Sequence, residues 1–408
     1  MKKKWTDPKI ITNDVAKDGY FFLRNDIIED IWNELKKGNS ILLVAPRRVG
    51  KTSIMRYMER YPEENYKLIF WNVREIDSAN DFFDIIYTSL LNCLNTMPRI
   101  KRKIKRWSIK IKTKFSISLE NKYFKFKFNG DVMSTNHSNV FFKETDDLLT
   151  EINNKKEILK KDVINENVIL ILDELPRMLN EINSSDAIYI LKKLQHWRQQ
   201  PQKSEKVKFI LAGSVGIHYV INKFTKRDNV LNDIQHIEFN PLSYNEAHQY
   251  IDWATRGATV TYNNQLKEYL LLKIEYFTPC LINLLLDEIN KQAKKINSPD
   301  ITMKIIDSAF NTVVRHNDYI KDWKKRLQDY MPKEDFDFVN EILIHTARKG
   351  HISLQEIYNK AVKHNKTTDY MDFIENLEKD GYITEIEDKY QFTTPLLREF
   401  WKYYFVNI

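Results

Sequence analysis

The 408-residue sequence has little cysteine, little glycine and no long apolar run. Its two cysteines, Cys93 and Cys280, are too few for a disulfide framework or a cysteine-ligated zinc site. With only 9 glycines and 42% hydrophobic residues, the chain is expected to fold compactly. No stretch approaches the roughly 18 uninterrupted apolar residues of a membrane span, and no apolar stretch follows the basic residues at the start. We therefore expect a soluble, cytoplasmic protein without a signal peptide and without membrane contact.

Charge is close to balanced, with 64 Lys and Arg against 56 Asp and Glu, but it is unevenly distributed. Residues 99–128 contain 12 Lys or Arg and one acid, Glu120. Alternating apolar residues in this stretch predict a β-hairpin with one apolar and one basic face. The basic face is either a solvated strand surface or a contact for a phosphate-rich partner such as nucleic acid. The candidate contact residues are Lys101, Arg102, Lys103, Lys105 and Arg106.

A phosphate-binding motif occupies residues 45–52, between an apolar run that predicts a buried strand and a segment that predicts a helix. Backbone N–H groups of such a loop point at an anion. Lys51 would reach the outer phosphates, and the Thr52 hydroxyl would ligate Mg²⁺. The complete set of candidate loop residues is Ala45, Pro46, Arg47, Arg48, Val49, Gly50, Lys51, Thr52 and Ser53. Ala45 replaces the first glycine, so either that position needs no positive φ or the loop is strained.

Two further apolar runs predict strands that end in polar residues. Residues 168–172 lead into Asp173 and Glu174, which we expect to support Mg²⁺ and to polarise the attacking water, respectively. Residues 208–212 lead into Ser214, which either senses the γ-phosphate or is an ordinary turn residue. With the phosphate-binding loop, these residues predict nucleotide hydrolysis, with Lys51, Glu174 and Ser214 as catalytic candidates.

Alternating strands and helices predict a parallel sheet over residues 1–240, with the basic hairpin inserted at about 99–130. A helical lid is predicted over 241–330. Three short helices and two strands predict a winged helix over 331–408. The third of these helices, with its flanks at 368–380, has five acids against Lys379 alone, and phosphate repulsion disfavours its insertion into a DNA groove. We therefore interpret the winged helix as a protein-contact or regulatory module.

Five segments together resemble the archaeal-type ATPases of the STAND group, which are relatives of the AAA+ origin-recognition initiators. These segments are APRRVGKTS, ILILDELP, LAGSVG, FNPLSYNEA and LEKDGYITEIEDKYQFTTPLLREFW. The resemblance spans nearly the entire chain. It implies an α/β fold, in which a P-loop AAA+-like parallel sheet with helices on both faces is followed by a helical lid and a C-terminal winged helix.

The resemblance also implies ATP and Mg²⁺ as ligands and a regulatory switch that relays its nucleotide state to a protein partner, with a nucleotide-dependent oligomer as a further possibility. Arg24, in a loose match to an F-x-x-R box, would lie near the base, and Pro279 would lie in the lid turn. Arg198 and Arg227 are candidates for an arginine finger. The alternatives are a DNA-binding, initiator-like or mobile-element-associated ATPase and a nucleotide-binding scaffold without turnover.

Overall fold

The computed structural model describes residues 5–12, 18–45, 49–93, 134–153, 166–213, 220–221, 224 and 230–406. Several sequence predictions concern residues outside these ranges. They are the basic hairpin with its five candidate contact residues, the loop residues Pro46, Arg47 and Arg48, the sensor candidate Ser214 and the finger candidate Arg227.

The N-terminal part of the chain contains a parallel sheet. Its strands are β1 (Ile41–Val44), β2 (Tyr66–Asn72), β3 (Asn167–Asp173), β4 (Val207–Gly213) and β5 (Gln235–Glu238). Within the described ranges the strand order is β2-β3-β4-β1-β5, and every neighbouring pair is parallel. The predicted parallel sheet is therefore confirmed.

Helices cover both faces of this sheet. They are α1 (Asn25–Lys36), α2 (Lys51–Arg60), α3 (Ala79–Cys93), α4 (Ser134–Asn153), α5 (Leu175–Glu181), α6 (Ser184–Gln199) and the one-turn α7 (Pro201–Ser204). Successive strand residues point to opposite faces, so the apolar strands feed two separate cores. Ile41 and Leu43 pack with α1 and α2, whereas Leu42 packs with α3 to α6.

A helical lid follows β5. It comprises α8 (Tyr244–Thr255), α9 (Asn264–Ile274), α10 (Pro279–Ile296), α11 (Met303–His316) and α12 (Asp318–Tyr330). An N-terminal strap of residues 5–12 lies against it. Trp5 Nε1 donates to Asn290 Oδ1 at 3.0 Å, and the backbones of Thr6 and Thr259 are joined by a 2.9 Å hydrogen bond. None of the described helices is long and apolar enough to cross a membrane.

The C-terminal module has the arrangement of a winged helix. It contains α13 (Lys333–Lys349), β6 (Ile352–Ser353), α14 (Leu354–Lys363), α15 (Tyr370–Lys379), β7 (Ile383–Ile386), β8 (Lys389–Phe392) and α16 (Pro395–Trp401). The antiparallel sheet order is β6-β8-β7. One continuous apolar core joins this module to the lid. The predicted fold class is confirmed, whereas the domain boundaries near residues 240 and 330 stay predictions.

Candidate nucleotide-binding site

The two described ends of the phosphate-binding loop have the conformations that such a loop needs. Ala45 directly follows β1 and is completely buried. It is not among the non-glycine residues with positive φ, so the missing first glycine causes no strain of that kind. Gly50 has φ 106° and immediately precedes α2, and this left-handed conformation explains why glycine is present there. Lys51 and Thr52 form the first turn of α2, and the N-terminus of a helix is the end that favours an anion.

The C-terminal end of β3 meets this helix start. Thr52 Oγ1 donates a 2.7 Å hydrogen bond to Asp173 Oδ2, and Lys51 Nζ lies 3.8 Å from Asp173 Oδ1. Thr52 and Asp173 are 121 positions apart in the sequence. Strand β4 lies between β1 and β3, so the parallel sheet brings the ends of the loop strand and the carboxylate strand to the same edge. The hydroxyl, ammonium and carboxylate predicted from sequence thus form one cluster.

Asp173 is fully buried, and its electrostatic environment is mixed. Burial is the largest effect and raises the pKa of Asp173, while Lys51 and the Thr52 hydrogen bond lower it by less. The ionised carboxylate is consequently less favourable in the fold than in water. A divalent cation beside Asp173 would favour the ionised form.

Glu174 has a strained backbone. It has φ 63° and ψ 28°, in the left-handed region that non-glycine residues rarely adopt, and it precedes α5. Its N–H donates to Asp173 Oδ1 at 3.0 Å, while its own side chain is half-buried and does not cap α5. This conformation lies at the junction of β3 and α5, where the Glu174 side chain makes no capping hydrogen bond.

Arg24 lies at the junction of the sheet and the lid. Its side chain is buried, with Nε 2.9 Å from Glu246 Oε1 in an ion pair whose angles are not those of a hydrogen bond. Nη1 donates to the carbonyl of Asn240 at 3.3 Å, and the guanidinium carbon lies 5.2 Å from the centre of the Phe239 ring. A Cβ atom on Gly50 would lie 3.9 Å from the same ring. Arg24 is therefore linked to the phosphate-binding loop through Phe239.

Pro279 occupies the first position of α10, where a missing N–H costs nothing. The preceding Thr278 caps the helix by accepting from Leu281 N at 3.2 Å. The turn is tied to the end of the sheet domain, because Leu242 N donates to Phe277 O at 2.9 Å. This fixes the lid turn relative to the chain segment that contains Asn240.

The structure argues against Arg198 as an arginine finger. Its side chain is 3% exposed and forms a two-pronged ion pair with Asp233, with distances of 2.9 and 3.0 Å. Nη2 also donates to Val230 O at 2.6 Å. An arginine finger must reach a phosphate on another surface, and breaking this buried pair would cost several kcal/mol, so Arg198 is better explained as a structural residue.

The sequence reasoning missed the partners of Arg24. Phe239 and Glu246 both belong to the FNPLSYNEA stretch, but their contacts with Arg24 span more than 200 residues. One local signal was present, because Ser243-x-x-Glu246 is a capping box, and both of its hydrogen bonds form at the start of α8. That signal fixes the position of Glu246 but not its pairing with Arg24.

No protein-family model matches the chain, and no curated protein matches it. Solved structures do resemble it. The Walker-type ATPase of Pyrococcus abyssi superposes with a TM-score of 0.60 at 17% identity, covering 95% of this chain and 97% of that one. The ORC2 protein of Aeropyrum pernix, solved as ADPNP–ADP complexes, gives a TM-score of 0.52 at 12% identity, with 98% of each chain covered. The fold is that of the archaeal P-loop AAA+ ATPases. At these identities the likeness shows the AAA+ fold alone, and the function must be argued from the site.

Proposed function

We propose that this AAA+ protein binds ATP with Mg²⁺, hydrolyses it slowly and acts as a STAND-type regulatory switch in the cytoplasm. The observation that carries the proposal is the cluster in which the Thr52 hydroxyl and the Lys51 ammonium both lie against the buried Asp173 carboxylate. Asp173 ends β3 and faces the first turn of α2, and burial raises the pKa of its carboxyl, as is common for carboxylates at functional sites.

The donor set fits Mg²⁺. Hydroxyl and carboxylate oxygens are its preferred ligands, and it is commonly held by one or two protein groups together with substrate phosphates. Among the described residues, no cluster of three or more His, Cys, Asp or Glu could hold a metal alone. Thr52 and Asp173 would therefore hold the ion jointly with the nucleotide. When bound, Mg²⁺ would neutralise charge on the β- and γ-phosphates.

The remaining roles belong to the chain itself. Lys51 would leave its 3.8 Å partner Asp173 for the phosphate oxygens, where its charge stabilises the transferring group. The Glu174 carboxylate would orient the attacking water and accept its proton. Ser214 would sense the γ-phosphate. Arg24 would lie near the base of the nucleotide, and Pro279 would contact the nucleotide from the lid turn. The lid and winged helix share one core, so a lid movement would carry the module that meets a protein partner.

The test is phosphate release from ATP and Mg²⁺ by the wild type and by Glu174→Gln. The variant should retain nucleotide affinity and lose at least about 100-fold in turnover, as is usual for loss of a general base. Glu181→Gln is the matched control, because Glu181 lies on α5, the helix that Glu174 precedes, is exposed and pairs only with Arg177 among its described contacts. Unchanged turnover in Glu174→Gln would remove the proposed role. Tight binding without wild-type turnover would favour a scaffold instead.

A DNA-binding, initiator-like ATPase is the alternative, and the basic composition of residues 99–128 favours it. The winged helix argues against it, because α15, β7 and the turn after β7 present Glu375, Glu385, Glu387 and Asp388 to solvent. Salt-dependent binding to double-stranded DNA, abolished when Lys101, Arg102, Lys103, Lys105 and Arg106 are neutralised together, would support the alternative. DNA affinity that does not respond to these changes would remove the basic segment as the DNA contact.

A further inference from the structure

The lid turn between α9 and α10 is held in one conformation around Tyr276. Glu275 ends α9 with φ 57° and ψ −32°, a conformation that is costly for a residue with a side chain. Tyr276 N donates to Ile274 O at 2.7 Å, and Thr278 N donates to Tyr276 O at 2.8 Å. Backbone strain of this kind persists only where surrounding contacts enforce it, so contacts of the lid turn, including those of the adjacent Tyr276, maintain the conformation of Glu275.

The neighbour of Tyr276 is Gly381 in the winged helix. A Cβ atom at Gly381 would lie 3.1 Å from Tyr276 Oη and 3.4 Å from Cζ. Gly381 has φ 78° and closes the C-terminal turn of α15, with its N–H donating to Glu378 O at 2.9 Å. Its carbonyl accepts from Thr393 Oγ1, which follows β8. Tyr276 therefore touches the point where the last helix of the winged helix meets its wing strands.

The other side of the lid turn leads to the nucleotide site. Phe277 O accepts from Leu242 N, two residues after Asn240, whose carbonyl accepts from Arg24. Arg24 in turn lies over the Phe239 ring, which borders the phosphate-binding loop. Hydrogen bonds, ring contacts and short stretches of chain thus link the loop to the base of the wing.

We propose that Tyr276 is a positioning residue that couples nucleotide binding to the winged helix by holding the lid turn against Gly381. This inference rests on the proposed nucleotide-binding function and specifies how its state is relayed. A shift of the lid turn on nucleotide binding must move the base of the wing or break the Tyr276 contact. Because coupling between two sites is reciprocal, a change at Gly381 must also alter nucleotide affinity.

A double-mutant cycle tests the coupling. ATP affinity in the presence of Mg²⁺ is measured by calorimetry on the full chain, for the wild type, Gly381→Ala, Tyr276→Phe and the double variant. We expect Gly381→Ala to weaken binding about tenfold, within the usual range of coupling between sites. Removing the hydroxyl relieves the 3.1 Å contact, so the double variant should recover most of that loss.

Gly350→Ala is the matched control. Gly350 also ends a helix of the winged helix with a positive φ, 86°, but its added Cβ would have no neighbour within 4 Å among the described residues, apart from the adjoining chain and its own helix. The Gly350→Ala variant therefore shows how alanine in a left-handed conformation affects ATP affinity when no contact with the lid is involved. An equal loss of affinity in Gly350→Ala, no loss in Gly381→Ala, or additive effects of Gly381→Ala and Tyr276→Phe would each overturn the proposal. Absence of ATP binding in the wild type would instead refute the proposed function, and the coupling with it.

A second measurement covers the case in which Gly381→Ala does not fold. Tyr276→Ala removes the ring while leaving Gly381 intact. In the wild type, ATP should slow hydrogen exchange at the Thr393 amide, which donates to Tyr382 O at 3.1 Å beside Gly381. In Tyr276→Ala that slowing should disappear while ATP still binds. Equal protection of the Thr393 amide in both proteins would overturn the proposal.

Discussion

Replacing Asp173 by asparagine should separate nucleotide binding from stability. The side chain keeps its size and an oxygen that can accept the 3.0 Å bond from Glu174 N, but it loses its charge. Burial raises the pKa of Asp173 despite Lys51, so the folded state disfavours the ionised form relative to water. A raised pKa means that this carboxyl contributes stability at low pH and loses the contribution as pH rises through the folded-state pKa. Near pH 7, Asp173→Asn should therefore be at least as stable as the wild type without ligand.

Nucleotide should stabilise the two proteins very differently. At an ATP concentration of 100 times Kd, binding stabilises the wild type by about 2.7 kcal/mol. For the predicted 240-residue domain this corresponds to a rise in Tm of about 5–10 °C. Loss of a group that orients a metal typically weakens metal affinity by about 10–100-fold. If binding of ATP with Mg²⁺ weakens by the same factor in Asp173→Asn, the same ATP concentration would stabilise the variant by only about 0.4–1.4 kcal/mol.

The assay is thermal unfolding with and without ATP and Mg²⁺, and Asp233→Asn is the control. That change breaks the pair with the buried Arg198 and should lower the free energy of unfolding by about 2–3 kcal/mol, below the usual value for a buried pair because Asp233 is 21% exposed. It should leave the ATP-induced rise in Tm intact. The reasoning is refuted if Asp173→Asn retains the full ATP-induced rise, or if it unfolds many degrees below the wild type without ligand.

Three further predictions concern other parts of the chain. Arg24→Ala should lower the free energy of unfolding by about 2 kcal/mol and weaken ATP binding, because it removes the buried cation that contacts Glu246 and Phe239. A decrease of less than about 0.5 kcal/mol in the free energy of unfolding, measured by chemical denaturation, would contradict this. Glu174→Gly should abolish turnover and raise stability by about 0.5–1 kcal/mol, because relief of roughly 1–2 kcal/mol of left-handed strain at φ 63° outweighs the roughly 0.5–1 kcal/mol entropic cost of glycine. Equal or lower stability on thermal unfolding would argue against strain. Glu341 is partly buried, which raises its pKa, but hydrogen bonds from His364, Lys363 and Lys360 outweigh burial and lower the pKa to about 2. The stabilising contribution of Glu341 should therefore be present above pH 4.5, the ordinary pKa of a glutamate, and disappear as pH falls towards 2. Urea unfolding of Glu341→Gln between pH 6 and pH 3 should show a weaker pH dependence than the wild type, and an identical dependence would refute the assignment.

The sequence carried enough information for the sheet and for the central cluster. Apolar runs before Ala45, after Val168 and after Lys208 predicted three of the strands, because parallel strands buried on both faces are continuously hydrophobic. The short strands β5 and β6 were not foreseen. Gln235–Glu238 is mostly exposed, and Ile352–Ser353 is too brief to show a period.

The contacts that organise the site could not be read from the sequence in the same way. Lys51, Thr52 and Asp173 were paired in advance because the motif chemistry demands it. The pairing of Arg24 with Glu246, and of Arg198 with Asp233, depends on how helices dock, which no local pattern encodes. Nothing in the sequence indicated the contact at Gly381, and only the structure shows that Tyr276 would crowd a side chain there.

The central claim is that Lys51, Thr52 and Asp173 form a binding site for a nucleotide with Mg²⁺. The most direct test is calorimetric titration of the full-length protein with ATP, with Mg²⁺ and with excess EDTA, beside Lys51→Ala. The account predicts stoichiometric binding that weakens at least about tenfold when Mg²⁺ is removed and is lost in a folded Lys51→Ala protein. Equal ATP affinity in the wild type and in Lys51→Ala would contradict it.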